Sequence, residues 1–176
     1  MERAGPIVGI LMGSASDLPV LEEASKVLDD LGIPWEMHVC SAHRSPEKTA
    51  AYSAGAADRG LEVIIAGAGW AAHLAGFVAA LSPLPVIGVP IESSPLKGLD
   101  ALLATVQMPP GVPVAAMAIG KGGARNAGLL AAQILSLKDP YLREKVIRYK
   151  KDLAAEVEQK DRELQAKLGV GKETKS

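Results

Sequence analysis

Ile7-Val8-Gly9-Ile10-Leu11-Met12 is a continuous apolar run, followed at once by Gly13-Ser14-Ala15-Ser16-Asp17 and then by a helical pattern from Leu18 to Leu31. A run this short and this uniformly apolar predicts a strand covered on both faces, the habit of parallel sheets. Leu18, Leu21, Ala24, Val27, Leu28 and Leu31 recur at helical spacing, and Gly32 stops the pattern. The stretch thus reads strand, small-residue turn, helix.

The same alternation continues along the chain. Trp35 to Cys40 reads as a buried second strand and Pro46 to Arg59 as a helix closed by Gly60. Glu62–Ala66, Val86–Val89 and Val114–Ile119 read as strands three to five, with helices over Ala71–Ala80, Leu99–Val106 and Ala124–Leu137. Strands and helices in strict alternation predict right-handed crossover units. The expected fold class is α/β, a three-layer sandwich with a five-stranded parallel sheet in the flavodoxin-like order 2-1-3-4-5.

After Pro140 the pattern changes. Leu142, Val146, Tyr149, Leu153, Val157, Leu164 and Leu168 lie on an otherwise charged segment, a long amphipathic helix with a narrow apolar seam. The division expected is a catalytic domain over 1–137, an amphipathic helix over 138–168 that packs against another subunit rather than on its own sheet, and a frayed tail over 169–176.

Composition sets outer bounds. Of 176 residues, 48% are hydrophobic and only 3% aromatic, so the core has to be built from Ala, Val, Ile and Leu. Up to Leu137 there are 8 Lys/Arg against 12 Asp/Glu, a poor surface for nucleic acid, which needs clustered cations. The single cysteine, Cys40, excludes an internal disulfide, suits a reducing compartment and reads as a small core residue. No signal peptide is expected, because the first residues lack a basic region, apolar core and small-residue cleavage site in sequence, and no membrane span, because Pro83, Pro85 and Pro90 break the longest apolar region. The expected location is the cytoplasm.

Five loops follow the C-terminal ends of the five strands, where open α/β sheets bind ligands. The first, Gly13 to Asp17, offers backbone N–H groups and serine hydroxyls to an anion, although Ser16 or Asp17 equally serves as a helix cap. Asp17 would repel a phosphate and suits sugar hydroxyls. The second, Ser41-Ala42-His43-Arg44-Ser45-Pro46, joins a proton carrier to a guanidinium shaped for phosphate, with Ser45 as N-cap and Pro46 as first helical residue. The third, Gly67-Ala68-Gly69-Trp70-Ala71-Ala72-His73, lets a ligand approach the backbone and places His73 in the first helical turn as a supporting residue. The fourth carries Glu92, Ser93 and Ser94, and the fifth is glycine-rich with Lys121 and Arg125 but lacks P-loop spacing. His38 reads as structural, and no His, Cys and carboxylate cluster has metal-site spacing.

Two functional readings stand. Gly67 to Ala72 satisfies G-x-G-x-x-A, with Glu92 about twenty residues on, the outline of a nicotinamide-dinucleotide module. The other rests on a resemblance. Gly13-Ser14-x-Ser16-Asp17, Ser41-Ala42-His43-Arg44, Ile64 to Gly69, Ala71-Ala72-His73-Leu74, Pro85 to Pro90, Val106-Gln107-Met108-Pro109 and Ala118 to Ala127 together resemble the class I N5-carboxyaminoimidazole ribonucleotide mutases of purine biosynthesis.

The resemblance implies that Ser14, Asp17 and Arg44 bind the ribose 5-phosphate of the substrate. Ser16, Ser41, Ala42, Gly69, Ala71 and His73 complete the binding set it implies, with His43 as catalytic acid/base. It implies no metal and no cofactor, and a homo-octamer whose C-terminal helix reaches a neighbour. Class II enzymes, which carboxylate aminoimidazole ribonucleotide directly with CO2, typically have Lys at position 44 and an Arg-Ser-Asn type loop over 68–73. Two departures from the mutase pattern are Trp70, where the family usually has Gly, and Ala75, where it usually has Pro.

Overall fold

The structure is a computed structural model and describes residues 5–169. Five parallel strands, β1 (Val8–Met12), β2 (Trp35–Val39), β3 (Val63–Ala68), β4 (Val86–Pro90) and β5 (Ala115–Ala116), form one sheet in the order β2-β1-β3-β4-β5. The helices are α1 (Leu18–Leu31), α2 (Pro46–Gly55), α3 (Leu74–Leu81), α4 (Leu99–Val106), α5 (Lys121–Leu135) and α6 (Pro140–Leu168), with a 3-10 turn over Ala15–Asp17. This is the three-layer α/β sandwich and strand order read from the sequence.

Strand alternation builds the layers. Val8, Ile10 and Met12 of β1, with Val63, Ile65, Ile87 and Val89, face α1 and α5. Leu11, Ile64, Ala66 and Val86 face the other way, toward Leu74, Ala75 and Val78 of α3. Each fully buried Val, Leu or Ile contributes roughly 1.5–3 kcal/mol, so apolar strands of this kind exclude any register that moves them to a solvated face. Ala75 fits this layer without strain at the second residue of α3, a place that Pro also tolerates.

Two strands differ from expectation. β2 is an edge strand and is not buried: Glu36 and His38 interrupt its apolar residues, and Val39 is exposed. Trp35 and Met37 pack on the core, while Glu36 on the opposite side accepts hydrogen bonds from Tyr52 at 2.6 Å and Arg59 at 2.9 Å. Charge on an edge of this kind blocks pairing with a further strand. His38 sits in that cluster, 3.7 Å from Glu36, its ring tilted against that of Tyr52 at 5.5 Å between centroids. Strand β5 spans two residues rather than Val114–Ile119. Beyond it the chain still follows β4, with Met117 N donating to Gly88 O and Gly120 N to Pro90 O, but no regular ladder forms.

Cys40 is fully buried, and burial pushes its thiol up, as a core cysteine requires. Asp139 caps α6 by accepting from Leu142 N at 3.1 Å. Leu142 and Val146 are buried against the core, Lys145 donates to the Leu31 carbonyl at 2.8 Å, and Arg125 donates to the Tyr149 hydroxyl. The first turns of α6 therefore do fold back on their own body. Leu153, Val157, Leu164 and Leu168 farther along the seam are exposed. Gly169 closes the helix in the left-handed conformation, and the rest of the expected tail, 170–176, lies outside the described residues. Among the described residues no helix is long and apolar enough to cross a membrane.

Candidate active site

The C-terminal ends of β1, β2 and β3 are held in line by the sheet, so the loops leaving them share one rim. Ser14 caps the 3-10 turn after β1. Its Oγ accepts from the N–H and the hydroxyl of Ser16, while Asp17 Oδ2 accepts from the Ser14 N–H at 3.1 Å. This capping box assigns the cap to Ser14, in place of Ser16 or Asp17. Because Ser14 Oγ accepts in both of its bonds, its own proton is left to donate outward.

The loop after β2 is held by two serines. Ser41 Oγ accepts from the Arg44 N–H at 3.1 Å. Ser45 occupies the N-cap position of α2, but its hydroxyl turns back, accepting from Ser41 N and donating to Ser41 O. Arg44 Nη2 then donates to the Gly13 carbonyl at 2.8 Å and ties the first two loops together. Asp17 lies beneath them, 5% exposed. Burial raises its pKa above the ordinary carboxylate value, outweighing the Ser14 N–H and the Arg44 charge, which both pull it down.

After β3, Gly69 lies so close to the fourth loop that a Cβ there would run into the Ser93 side chain and approach the Ile91 carbonyl. Trp70 follows with φ of +53°, a left-handed conformation that costs a non-glycine residue roughly 1–2 kcal/mol. That explains physically why glycine suits this position. Helix α3 opens only at Leu74, so His73 is its N-cap residue, not part of its first turn. There His73 Nδ1 meets His43 Nε2 at 2.9 Å, the rings edge to face with centroids 5.0 Å apart. Gly67 lies inside β3, and the helix begins beyond Ala72, so the glycine turn onto a helix that the dinucleotide fingerprint requires is not formed.

One cleft of about 420 Å³ lies between these loops. Ser14, Ser16, Asp17, Ser41, Ala42, His43, Arg44, Gly69, Ala71 and His73 all line it. So do Trp70 and Ser93; the latter received no role in the sequence reading, although hydroxyls in the fourth loop were its signal. The fifth loop does not line the cleft: Arg125 is turned to α6 instead. Among the described residues no group of three or more His, Cys, Asp or Glu is placed to hold a metal ion. The arrangement offers hydroxyl and guanidinium donors for an anion and, across the cleft, two imidazoles for proton transfer.

Comparison with known proteins agrees across the chain. Residues 7–156 match the AIR carboxylase family. The chain is 54% identical over 165 residues to the N5-carboxyaminoimidazole ribonucleotide mutase of Pyrococcus horikoshii, covering 94% of this chain and 92% of that protein. It is 56% identical over 164 residues to the N5-carboxyaminoimidazole ribonucleotide mutase of Mycobacterium tuberculosis, covering 93% of each. The fold is similar to the crystal structure of Treponema denticola PurE, with a TM-score of 0.80 at 30% identity over 91% of this chain and 99% of that one. With a family match over most of its length and relatives more than half identical over nine-tenths of the chain, the chain belongs to the AIR carboxylase family.

Proposed function

We propose that the chain is an N5-carboxyaminoimidazole ribonucleotide mutase of purine biosynthesis, moving the carboxylate from the exocyclic nitrogen to ring carbon 4. The observation that carries this reading is the single cleft joining the Ser14–Arg44 anion end to the His43–His73 pair. Arg44 and the serine hydroxyls take the 5-phosphate, with charge-assisted bonds of roughly 1.5–3 kcal/mol each. Asp17 and Ser41 serve the ribose, and Ala42, Gly69 and Ala71 are small enough for the imidazole to lie against the backbone.

The chemistry needs one proton, lent and returned. Protonating the carbamate nitrogen of the substrate releases CO2 and leaves the enamine-like ring, whose carbon 4 attacks that CO2. Removing the proton from carbon 4 restores aromaticity, so no proton is gained or lost overall. His43 gives the first and takes the last. The contact between His43 Nε2 and His73 Nδ1, at 2.9 Å, holds the His43 ring in place for that exchange. No metal or other cofactor enters this scheme.

Assembly into a homo-octamer in the cytoplasm completes the proposal, with the helix over 138–168, fastened to the catalytic unit 1–137 by its opening turns, as subunit contact. Its support is unpartnered apolar surface: the seam of α6, and Leu96, Leu99, Leu103 and Val106, which form a stripe along α4 and the turn before it. The deciding experiment mixes purified protein with the carbamate substrate, and separately with aminoimidazole ribonucleotide plus bicarbonate, following the carboxylated imidazole. Product from the first mixture alone is expected. Equal production from the second would replace the mutase by a direct carboxylase.

A further inference from the structure

The chain has two tryptophans, and they are treated differently. Trp35 donates its indole N–H to Asp29 at 2.7 Å and packs on the core. Trp70 lines the cleft 60% exposed, in the left-handed backbone conformation that bulky residues avoid. It is the sole large side chain between Gly67 and Ala72. Its anchorage is nonetheless firm on either side. Gly69 is pressed against Ser93 and the Ile91 carbonyl, Ala72 is buried, and His73 N donates to Ala71 O at 2.7 Å. The loop thus holds one strained position and projects from it a large π-surface that contributes nothing to the core. Strain of this kind persists where the surrounding structure enforces it, and it clusters at ligand sites.

We infer that Trp70 is a substrate-binding residue of this chain, its indole stacking on the planar heterocycle of the bound nucleotide. The inference rests on the function proposed above and adds a recognition element to the same cleft. A ligand whose phosphate lies at Ser14 and Arg44, and whose reacting ring reaches His43, brings that ring to the loop carrying His73 and Trp70. Stacking of an aromatic side chain on a base accepts any heterocycle with a π-face and depends little on hydrogen bonding.

The test compares the wild-type chain with Trp70→Phe and Trp70→Gly, using aminoimidazole ribonucleotide and ribose 5-phosphate as probes. Binding is followed by calorimetry and by tryptophan emission, and turnover with the carbamate substrate. The nucleotide is expected to quench wild-type emission, and the quench to vanish in Trp70→Gly. Ribose 5-phosphate, which has no base, should bind and leave emission unchanged. Trp70→Gly should raise the KM and the nucleotide Kd roughly tenfold with kcat within about twofold, and Trp70→Phe should restore most of the loss. Glycine adopts this backbone freely, so Trp70→Gly is expected to fold with a melting temperature no lower than wild type. Nucleotide bound at unchanged affinity in Trp70→Gly, or equal quenching by ribose 5-phosphate, overturns the stacking role alone. Absence of nucleotide binding and turnover in the wild type overturns the functional proposal and this inference together.

Discussion

His43 is the residue on which the proposed chemistry turns, and its neighbours define what each substitution should do. His43→Asn preserves size and a donor but cannot cycle a proton, so kcat should fall by at least about 100-fold while nucleotide affinity holds in a binding titration. Wild-type turnover in that variant would remove His43 from the mechanism. Asp17 calls for a different experiment. Burial raises its pKa, so proton binding favours the folded state: its contribution to stability is present below the ordinary value of 3.8 and lost as pH rises through the raised one. Asp17→Asn keeps an acceptor for the Ser14 N–H and removes the buried charge. Melting temperatures should be higher than wild type at pH 7, with the gain shrinking below pH 3.8, while the KM rises because the ribose loses a charged partner. An unchanged difference across that pH range would show that the buried charge costs nothing.

Among the elements, α6 gives the most direct mechanical prediction. Leu142 and Val146 are its buried fasteners to the body. Leu142→Ala should cost about 2–5 kcal/mol, read as an earlier denaturant midpoint. A loss below 1 kcal/mol would mean that the helix is held by its polar ties alone. The elements were also unevenly legible in the sequence. Helix α1 was readable end to end because Gly32 takes the left-handed C-cap conformation that its sequence position suggests. Strand β2 was misread as buried because Trp35, Met37 and Val39 stood out, while the alternation imposed by Glu36 and His38 marks an edge. Strand β5 was read too long because apolar content says nothing about whether a regular ladder forms. The cleft residues were legible as loop composition at one rim. The meeting of His43 with His73 was not, since thirty residues of chain separate them and their loops come together only because β2 and β3 both pair with β1. The left-handed backbone of Trp70 was equally hidden, because a bulky residue gives no sign of such a conformation.

For the whole molecule, the arithmetic of exposed apolar surface points to association. The stripe over Leu96, Leu99, Leu103 and Val106 lies along α4 and the turn before it, and it is left bare as the distal seam of α6 is. Leu103→Glu places a charge in the middle of that stripe and should lower the molecular mass in sedimentation equilibrium without changing the circular dichroism of the helices. An assembly of unchanged mass would show that this stripe is not a contact.

Twenty-nine residues of continuous helix make α6 about 43 Å long, more than the span of a small domain. With its fasteners confined to the opening turns, most of that length acts as an outrigger beyond the footprint of its own sheet. A short peptide would shield only a fraction of such an arm. In the proposed assembly a neighbour covering it would have to be comparable in breadth to the body itself, and the distal turns would then set how bodies are spaced without altering how any one of them folds.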